Sequence, residues 1–370
     1  MKRLKWMMLG AVLSAILSVT AFATQEQVKV YVNGMRLNET AIIQEDRTFI
    51  PLRAVSEAMG AQVDWDGQTR SAFVSFTEDD TIAQLVSDIS PSVVTIIGNY
   101  AGDGEVYKHI NPTAHGSGVI YKSNGYIITN AHVVEDIINL TVVLNDGTSL
   151  PAKVMCSDKD ADLAIVKIEK LGLLPVKMAD SATIMAGKTA IAVGTPISLS
   201  MRNSVTKGIV SGVDVALSGS YYKLTQTDAS INPGNSGGPL INAKGELIGI
   251  SSSKFASAGI DNMGFAIPVD TVTYFINQYE VNGKIVRPNI NISFEESWEA
   301  KIGLPTTKGI TIKSSSNSAL KAGDTVISVN GIAVHSIADW NEALKDTYNG
   351  TGFKVSYIRG GVISETDVTA

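Results

Sequence analysis

Residues 225–239, TQTDASINPGNSGGP, constrain this chain more than any other feature, because they place Ser236 among three glycines. Gly234, Gly237 and Gly238 lack a Cβ and can adopt positive φ, so nearby backbone N–H groups can turn toward a reacting atom. A serine hydroxyl is a weak nucleophile until a base takes its proton, and acyl transfer also needs N–H donors directed at the developing oxyanion. The simpler interpretation is a glycine-rich turn between two strands.

Two upstream segments could supply the remaining groups of such a site. In YIITNAHVV, a strand-like run ends just before His132, which we expect to be the base. In SDKDADLAIVKIEK, Asp162 directly precedes another strand-like run and would orient the imidazole. Taken singly, each is an ordinary half-buried histidine or strand-capping carboxylate. The order His, Asp, Ser is that of chymotrypsin-type enzymes, and together the three residues predict a double β-barrel.

The blocks TNAHVV, DADLAIVKI and QTDASINPGNSGGPLIN resemble the signature blocks of the HtrA/Deg family of serine proteases, and GFAIPVD resembles the stretch that closes that family's protease domain. The resemblance spans about residues 82–277. It implies a chymotrypsin-like fold, a triad of His132, Asp162 and Ser236, and an oxyanion hole formed by the N–H groups of Gly234 and Ser236. It also implies ATP-independent cleavage of unfolded or misfolded proteins in the cell envelope, usually by homotrimers.

The resemblance extends to substrate binding. Ser230 stands six residues before Ser236, where trypsin-like enzymes carry an aspartate, so an Arg or Lys side chain would find no fixed counter-charge. A preference for small aliphatic residues is what the family implies. Ile250, Ser251 and Ser252, in the run ISSS, would pair with the substrate backbone as an added β-strand.

Composition excludes several other classes. The chain has 370 residues, 44% hydrophobic and 18% charged, which is enough for two or three domains. A net charge of −6 without a dense Lys/Arg run argues against a nucleic-acid partner. The four histidines lie far apart, with no second His or Cys at metal-ligand spacing, so we expect no metal and no cofactor. His109 and His115 fall in a polar, loop-like segment and are expected to be solvated.

Residues 1–23 are typical of an export signal, with a basic head, an apolar run at residues 6–19 and a small-residue cleavage site, Ala21-Phe22-Ala23. We therefore expect an extracellular or cell-envelope protein. The alternative is an uncleaved membrane anchor, although the run is shorter than the ~20 residues of a spanning helix. Cys156 is the only cysteine, so no internal disulfide is possible.

Two regions follow the signal. Residues 24–77 predict a small α+β module that resembles the N-terminal domain of copper amine oxidases, but this segment has no His or Cys to hold a metal, and we interpret it as a spacer or surface-attachment module. Residues 82–278 are dense in short strands separated by turn dipeptides such as Asn124-Gly125 and Asp146-Gly147. This pattern predicts an all-β domain.

Residues 285–370 resemble the PDZ domain that follows the HtrA protease domain. GDTVISVNGIAV matches a strand and hairpin, and Ser336 with Asp339 predicts the N-terminus of the second helix. A PDZ domain binds extended peptide ends by edge-strand addition. The segment that would do so contains Asn289, Ile290, Asn291 and Ile292. Asn291 replaces the family's usual glycine and the first helix is shortened, so a degenerate domain that only packs on the protease domain is an alternative.

The sequence thus predicts a mainly β, exported serine endopeptidase. A protein that uses the protease fold only for binding, as a holdase, is the alternative from another class. A third possibility is an enzyme switched by inversion of the Gly234 amide, because glycine permits both orientations.

Overall fold

The computed structural model describes residues 28–369, apart from residues 33, 40, 77, 101–112, 218, 256–261, 289, 346 and 348–351. The predicted signal sequence lies outside the described residues. The chain divides into two compact units, residues 1–83 and residues 84–370. The boundary between them falls within helix α2 (Glu78–Ile89).

Among its described residues, the first unit contains three two-stranded antiparallel pairs, helix α1 (Leu52–Ala58) and the start of helix α2. Helix α1 follows Pro51 and ends before Gly60, whose φ of +84° places it in the left-handed region that glycine adopts readily. The elements are β1 (Tyr31–Val32), β2 (Met35–Arg36), β3 (Ile42–Gln44), β4 (Arg47–Phe49), α1 (Leu52–Ala58), β5 (Ala61–Asp66) and β6 (Ser71–Phe76).

The second unit begins with a closed six-stranded barrel. Its strands pair in the order β10-β11-β12-β9-β8-β7, all antiparallel. Helix α3 (Ala131–Val134) follows β9. The strands are β7 (Val93–Tyr100), β8 (Thr113–Lys122), β9 (Tyr126–Thr129), β10 (Ile137–Val143), β11 (Ser149–Asp158) and β12 (Leu163–Ile168).

A second barrel follows, with pairing in the order β18-β17-β14-β15-β16-β19 and closure through β18 and β19. A short strand, β13 (Lys177–Met178), adds in parallel to β18. Helix α4 (Val269–Asn282) leaves the last strand and ends at Gly283, whose φ is +68°. The strands are β14 (Thr189–Gly194), β15 (Ser204–Val215), β16 (Leu224–Thr227), β17 (Pro239–Ile241), β18 (Glu246–Ser252) and β19 (Gly264–Pro268).

The C-terminal region forms its own sheet, in the order β20-β21-β22-β24-β25, with a short strand on β22. No helix occurs between β21 and β22, which agrees with the shortened SNSALKAGD segment. The elements are β20 (Ile292–Glu295), α5 (Trp298–Lys301), β21 (Ile310–Ser315), β22 (Thr325–Val329), β23 (Ile332–Ala333), α6 (Ile337–Ala343), β24 (Phe353–Arg359) and β25 (Val362–Val368).

Each barrel and the C-terminal sheet encloses its own cluster of buried aliphatic side chains. Burial alternates along strands such as β24, because successive side chains point to opposite faces, whereas β12, β14 and β18 are buried along nearly their whole length. The mainly β, chymotrypsin-like double-barrel architecture expected from the order of His, Asp and Ser is confirmed. Within the described residues, no helix is long and apolar enough to span a bilayer.

Helix α6 also joins the C-terminal sheet to the second barrel. Asn341 Nδ2 donates to the carbonyl of Tyr221 at 2.8 Å, and Lys223 N donates to Glu342 Oε1 at 3.0 Å. Lys223 Nζ lies 2.6 Å from Asp339 Oδ1. The loop between β15 and β16 is therefore held by the helix of the C-terminal domain.

The capping box at the start of α6 leads to a stability prediction. Ser336 Oγ accepts from Asp339 N at 3.0 Å, while Asp339 Oδ2 accepts from Ser336 N at 2.9 Å. Ser336→Ala should cost about 1 kcal/mol, because the N-terminal N–H groups of the helix lose an acceptor. Hydrogen exchange should show α6 amides exchanging roughly fivefold faster. Ser318→Ala, at an exposed loop serine, is the matched control; unchanged α6 exchange in Ser336→Ala would contradict the capping role.

Candidate active site

The loop between β16 and β17 carries Ser236 and can be built only from glycines at its tightest points. Gly234 and Gly237 have φ of +101° and +82°. A Cβ on Gly237 would lie 2.1 Å from Ser117 O, and one on Gly238 would lie 2.3 Å from Val193 O. Side chains at these positions would force the loop away from β8 and β14. The glycines of GNSGG therefore allow the loop to lie against both barrels.

Ser236 is 2% exposed and is held by its own backbone and by its hydroxyl. Its carbonyl accepts from Ser117 N at 2.8 Å. Its Oγ accepts from Ser253 N at 3.0 Å and lies 2.6 Å from Ser253 Oγ. The Ser236 hydroxyl is thus hydrogen-bonded to Ser253, the residue that follows β18, and no hydrogen bond joins it to His132 in this structure.

The first barrel supplies an imidazole and a carboxylate that contact each other directly. His132 lies on α3, directly after β9, and its Nδ1 is 2.8 Å from Asp162 Oδ1 and 2.9 Å from Oδ2. His132 N donates to the same carboxylate at 3.2 Å, and Ser252 Oγ donates to Oδ2 at 2.9 Å. Asp162 is 1% exposed, whereas the His132 side chain is 33% exposed. An acceptor-only carboxylate at Nδ1 favours the tautomer whose Nε2 is free to take a proton.

Ser252 and Ser253 connect the two barrels at this point. Ser252 donates to Asp162 on the first barrel, and the next residue holds the hydroxyl of Ser236 on the second. The structure therefore brings the His132–Asp162 pair and Ser236 to one strand end. These three residues are separated by up to about a hundred positions in the sequence, and local pattern alone could not place them together.

The peptide groups around Gly234 have defined partners. Pro233 O accepts from Ile197 N at 3.0 Å, and Gly234 O accepts from Ser117 Oγ at 2.7 Å. Since C=O and N–H of a trans peptide point in opposite directions, the Ile197 contact turns the Gly234 N–H away from Ile197. Ile197 has a φ of +60°, which is strained for a β-branched residue, and its side chain is 70% exposed. Inversion of the Gly234 amide would have to break this hydrogen bond.

The predicted substrate-binding residues require a correction. The backbone of Ile250 and Ser251 is already paired on both sides, with β19 on one edge and with β17 and its preceding glycines on the other. Gly237 N donates to Ser251 O and Ser251 N donates to Gly238 O, each at 2.9 Å. Neither residue has a free edge for an added strand. The geometry is compatible with such pairing only from Ser252 onward, where the nucleophile loop has turned away.

Ser230 lies as expected near the loop, but its hydroxyl makes no contact that defines a pocket. It is exposed, and its carbonyl accepts from Thr206 Oγ1 at 2.9 Å. Ile231, the next residue, is 8% exposed, and a Cβ on Gly264 would lie 2.6 Å from its Cγ1. An apolar side chain rather than a carboxylate therefore lines this part of the second barrel.

Sequence reasoning did not predict the roles of three residues. Ser253 belongs to the run ISSS, which is predicted to pair with substrate, but its contact with Ser236 does not follow from the sequence, and Ser117 does not stand out in the local pattern. His115 was expected to be solvated, which is wrong: it is half-buried in β8, its Nε2 is enclosed without a hydrogen-bond partner, and that atom lies 3.0 Å from where a Cβ on Gly234 would be. Its place in a strand, rather than in a loop, explains the error. His109 lies outside the described residues.

At the C-terminal domain, the groove between β20 and α6 opens into a cavity of about 690 Å³ that also contacts the second barrel. Ile290 and Ile292 pack against its core and line the cavity. Asn291 has a φ of +46°, which explains how it replaces glycine, because asparagine tolerates the left-handed region. Asn289 lies outside the described residues. No group of three or more His, Cys, Asp or Glu residues that could hold a metal occurs within the described part of the chain.

Comparisons with known protein families give three matches along the chain. Residues 116–250 match the trypsin-like peptidase domain, and residues 290–370 match the PDZ domain. Residues 18–88 match the copper amine oxidase N-terminal domain.

Curated relatives cover most of the chain. The serine protease Do-like HtrB of Bacillus subtilis is 34% identical over 326 residues, which cover 79% of this chain and 71% of that protein. The serine protease Do-like HtrA of Lactococcus lactis is 36% identical over 304 residues, which cover 74% of each.

Solved protease structures are also similar to this chain. The HtrA-type protease AlgW with a tripeptide has a TM-score of 0.63 and 28% identity, covering 78% of this chain and 95% of that one. The serine endoprotease from Yersinia pestis has a TM-score of 0.59 and 30% identity, covering 78% of this chain and 96% of that one. These similarities, together with the double barrel and the match to the PDZ domain, show that the chain belongs to the Do-like HtrA family of serine proteases. It is a serine endopeptidase.

Proposed function

We propose that Ser236, His132 and Asp162 form the catalytic triad of an exported endopeptidase that cleaves unfolded or misfolded proteins without ATP. The observation that carries this proposal is the Asp162–His132 pair, fixed by contacts of 2.8 and 2.9 Å, at the strand end that also holds Ser236 Oγ. A buried carboxylate against Nδ1 leaves Nε2 as the base, which is the role a serine nucleophile requires.

In the proposed reaction, His132 Nε2 takes the proton of Ser236 Oγ as this oxygen attacks the carbonyl carbon of the scissile peptide bond. The negative charge moves to the carbonyl oxygen, and the imidazolium then gives its proton to the departing amine. Water, activated by the same imidazole, hydrolyses the acyl-enzyme and returns the proton to Ser236. No step uses a nucleotide.

The backbone N–H groups of Gly234 and Ser236 are the proposed oxyanion donors. In the described part of the chain, neither N–H donates to a backbone carbonyl. Pro233 O and Asn235 O, which belong to the same two peptide groups, are held by Ile197 N and Gly238 N. These contacts support a preorganised pair of donors, which is the arrangement that stabilises an oxyanion most strongly.

For the substrate, we propose pairing with residues 252–254 rather than with Ile250 and Ser251. This edge begins where the loop of Ser236 leaves β18. Residues 253–255 form a 3₁₀ turn with Ser253 on the nucleophile. When a substrate strand pairs with this edge, the turn unwinds into an extended strand. The contacts between Ser253 and Ser236 Oγ then break, and Ser236 Oγ can bind His132.

We further propose a peptidase domain at residues 82–278, a PDZ domain at residues 285–370 and a cleaved signal at residues 1–23, with homotrimers as the assembly. AlgW, a structural relative, was solved with a tripeptide, which supports peptide binding here along Ile290, Asn291 and Ile292. An uncleaved anchor is the alternative for the N-terminus.

Ser236→Ala should abolish cleavage of a denatured protein and labelling by a fluorophosphonate while leaving the fold intact. Loss of the nucleophile in triad enzymes lowers turnover on the order of 10⁶-fold. Ser211→Ala, at an exposed serine of β15, should behave as wild type. Activity of the Ser236 variant within tenfold of wild type would exclude the assignment. Absence of labelling in the wild type, even with added unfolded protein, would favour the holdase.

Asp162→Asn should keep the fold and lower kcat roughly 10⁴-fold, because an amide can donate to Nδ1 and so stabilise the wrong imidazole tautomer. Steady-state kinetics on a quenched peptide would measure this effect. Asp180→Asn is the control, because asparagine can still accept the Ala182 N–H bond that Asp180 accepts. Equal losses in both variants would show a general effect of charge instead.

Substitutions of Ser252, the last residue of β18, and of Ser253, which follows it, should change activity in opposite directions. Ser253→Ala removes the Oγ contact with Ser236 but keeps the N–H donor, so basal fluorophosphonate labelling should rise about threefold, as one hydrogen bond allows. Ser252→Ala removes a donor from Asp162 and should lower kcat. Changes of the same sign in both variants would contradict the proposed resting contact of the nucleophile.

A further inference from the structure

The strand edge beside Ser236 has a defined direction. Up to Ser251, this edge of β18 is filled by antiparallel β17 and the glycines before it. We take a polypeptide that continues along the same edge next to Ser236 to run antiparallel to β18, as β17 does. Residues 252–254 would then face the scissile residue and the residues before it. The charge on this edge therefore acts on the N-terminal side of the cleaved bond.

Lys254 is the charged residue of this edge. Its side chain is exposed and lines the cavity between the protease and C-terminal domains. Nζ lies 3.4 Å from Lys159 O and 5.8 Å from the centroid of the Phe255 ring. No carboxylate of the described residues lies within salt-bridge distance of this ammonium group, whose contacts are a carbonyl and an aromatic face.

The neighbouring charges are already paired. Lys159 Nζ contacts Glu135 Oε1. Arg287 Nη1 lies 3.0 Å from Asp158 Oδ1 and 3.4 Å from Asp160 Oδ2. These carboxylates are thus engaged, and none of the described residues provides a counter-ion for Lys254.

Glu296, the other acid that lines the cavity, is also engaged, because its Oε1 accepts from Ile337 N at 2.7 Å. A solvated lysine is ordinary on any surface. This one, however, lies two residues after Ser252, whose hydroxyl binds Asp162, and one residue after Ser253, which binds Ser236. A substrate side chain that reaches it lies within a few residues of the reacting bond.

We propose that Lys254 is a specificity-determining residue that favours an acidic side chain in one of the three residues preceding the scissile residue. This inference rests on the proposed function, because it assumes cleavage at Ser236. It adds a charge preference to a site where Ser230 supplies no fixed charge. Opposite charges on neighbouring strands stabilise their pairing, and the substrate carboxylate would be the counter-ion that the described residues do not supply.

The expected size of the preference follows from exposure. Because Lys254 is exposed, the Glu substrate should exceed the Gln substrate in kcat/KM by about threefold, as partly solvated ion pairs allow. The ratio should fall toward one in about 1 M salt, where charges are screened over roughly 3 Å.

The experiment uses the full chain and quenched peptides built around a bond first mapped on a denatured protein. Peptide pairs differ only by Glu or Gln at each of the three residues before the scissile residue. The readout is the ratio of kcat/KM for Glu to that for Gln, so that differences in total activity between variants cancel. The enzymes are wild type, Lys254→Gln, Lys254→Glu and the control Lys244→Glu, a lysine in the turn at the opposite end of β18.

We expect a Glu preference at one position in the wild type, its loss in Lys254→Gln and its reversal in Lys254→Glu. The Lys244→Glu control should keep the wild-type ratio. Equal rates for Glu and Gln at every position in the wild type, or a preference that survives Lys254→Gln, would overturn the inference. Failure of the wild type to cleave any peptide or to label at Ser236 would instead overturn the proposed function.

Discussion

The contacts of Ser117 with the nucleophile loop fix the position of one barrel relative to the other, and the geometry of the active site depends on these contacts. Ser117 lies on β8 of the first barrel. Its N–H binds Ser236 O and its Oγ binds Gly234 O, while Thr195 N of the second barrel donates to the same hydroxyl at 3.0 Å. Since His132 and Asp162 belong to the first barrel and Ser236 to the second, a small shift between barrels would separate them. Ser117 is fully buried, where hydrogen bonds are not weakened by water.

The glycines of the nucleophile loop are needed for the close contact between the barrels as well as for the orientation of the backbone amides. Backbone-to-backbone approach at Gly237 and Gly238 leaves no room for a Cβ, as the distances of 2.1 and 2.3 Å to carbonyl oxygens show. The same requirement extends to Gly194, where a Cβ would lie 2.8 Å from Asn235 Oδ1. A loop with larger residues could carry a serine, but it could not place that serine against β8. The glycines of GNSGG therefore meet two requirements. They let the loop pack closely between the barrels, and they let backbone N–H groups point toward the reacting atom.

A network of charges and aromatic rings joins the active-site loops to the C-terminal domain. Arg287 pairs with Asp158, at the start of the loop that carries Asp162, and its guanidinium lies 4.5 Å from the Tyr221 ring centroid. Burial alone would lower the pKa of Arg287, but the hydrogen bonds that Arg287 donates to Asp158 outweigh this effect and hold that pKa above its usual range. Lys254 lies on the rim of the same cavity, and no carboxylate of the described residues pairs with it. Arg287 is thus a half-buried cation held by acidic and aromatic partners, whereas Lys254 is exposed and is proposed to meet the substrate.

The sequence by itself determined the residue types of the site, their order along the chain and most local structure. The order of His132, Asp162 and Ser236 indicated a double barrel, and Ser336 with Asp339 marked a helix start, because capping depends on neighbours a few positions apart. The small N-terminal module and the short strands could also be predicted from the sequence, since turn residues and alternating hydrophobicity are local signals.

Only the tertiary structure decided how distant strand ends meet. It showed that Ile250 and Ser251 are already paired on both sides, that Ser236 rests on Ser253 and that His115 is enclosed beside Gly234. None of these facts follows from local pattern, because barrel closure and strand register are set by pairings between residues far apart in the chain. Residue identity limits the chemistry that a chain can perform, whereas the register of long-range pairing decides which of those residues share a cleft.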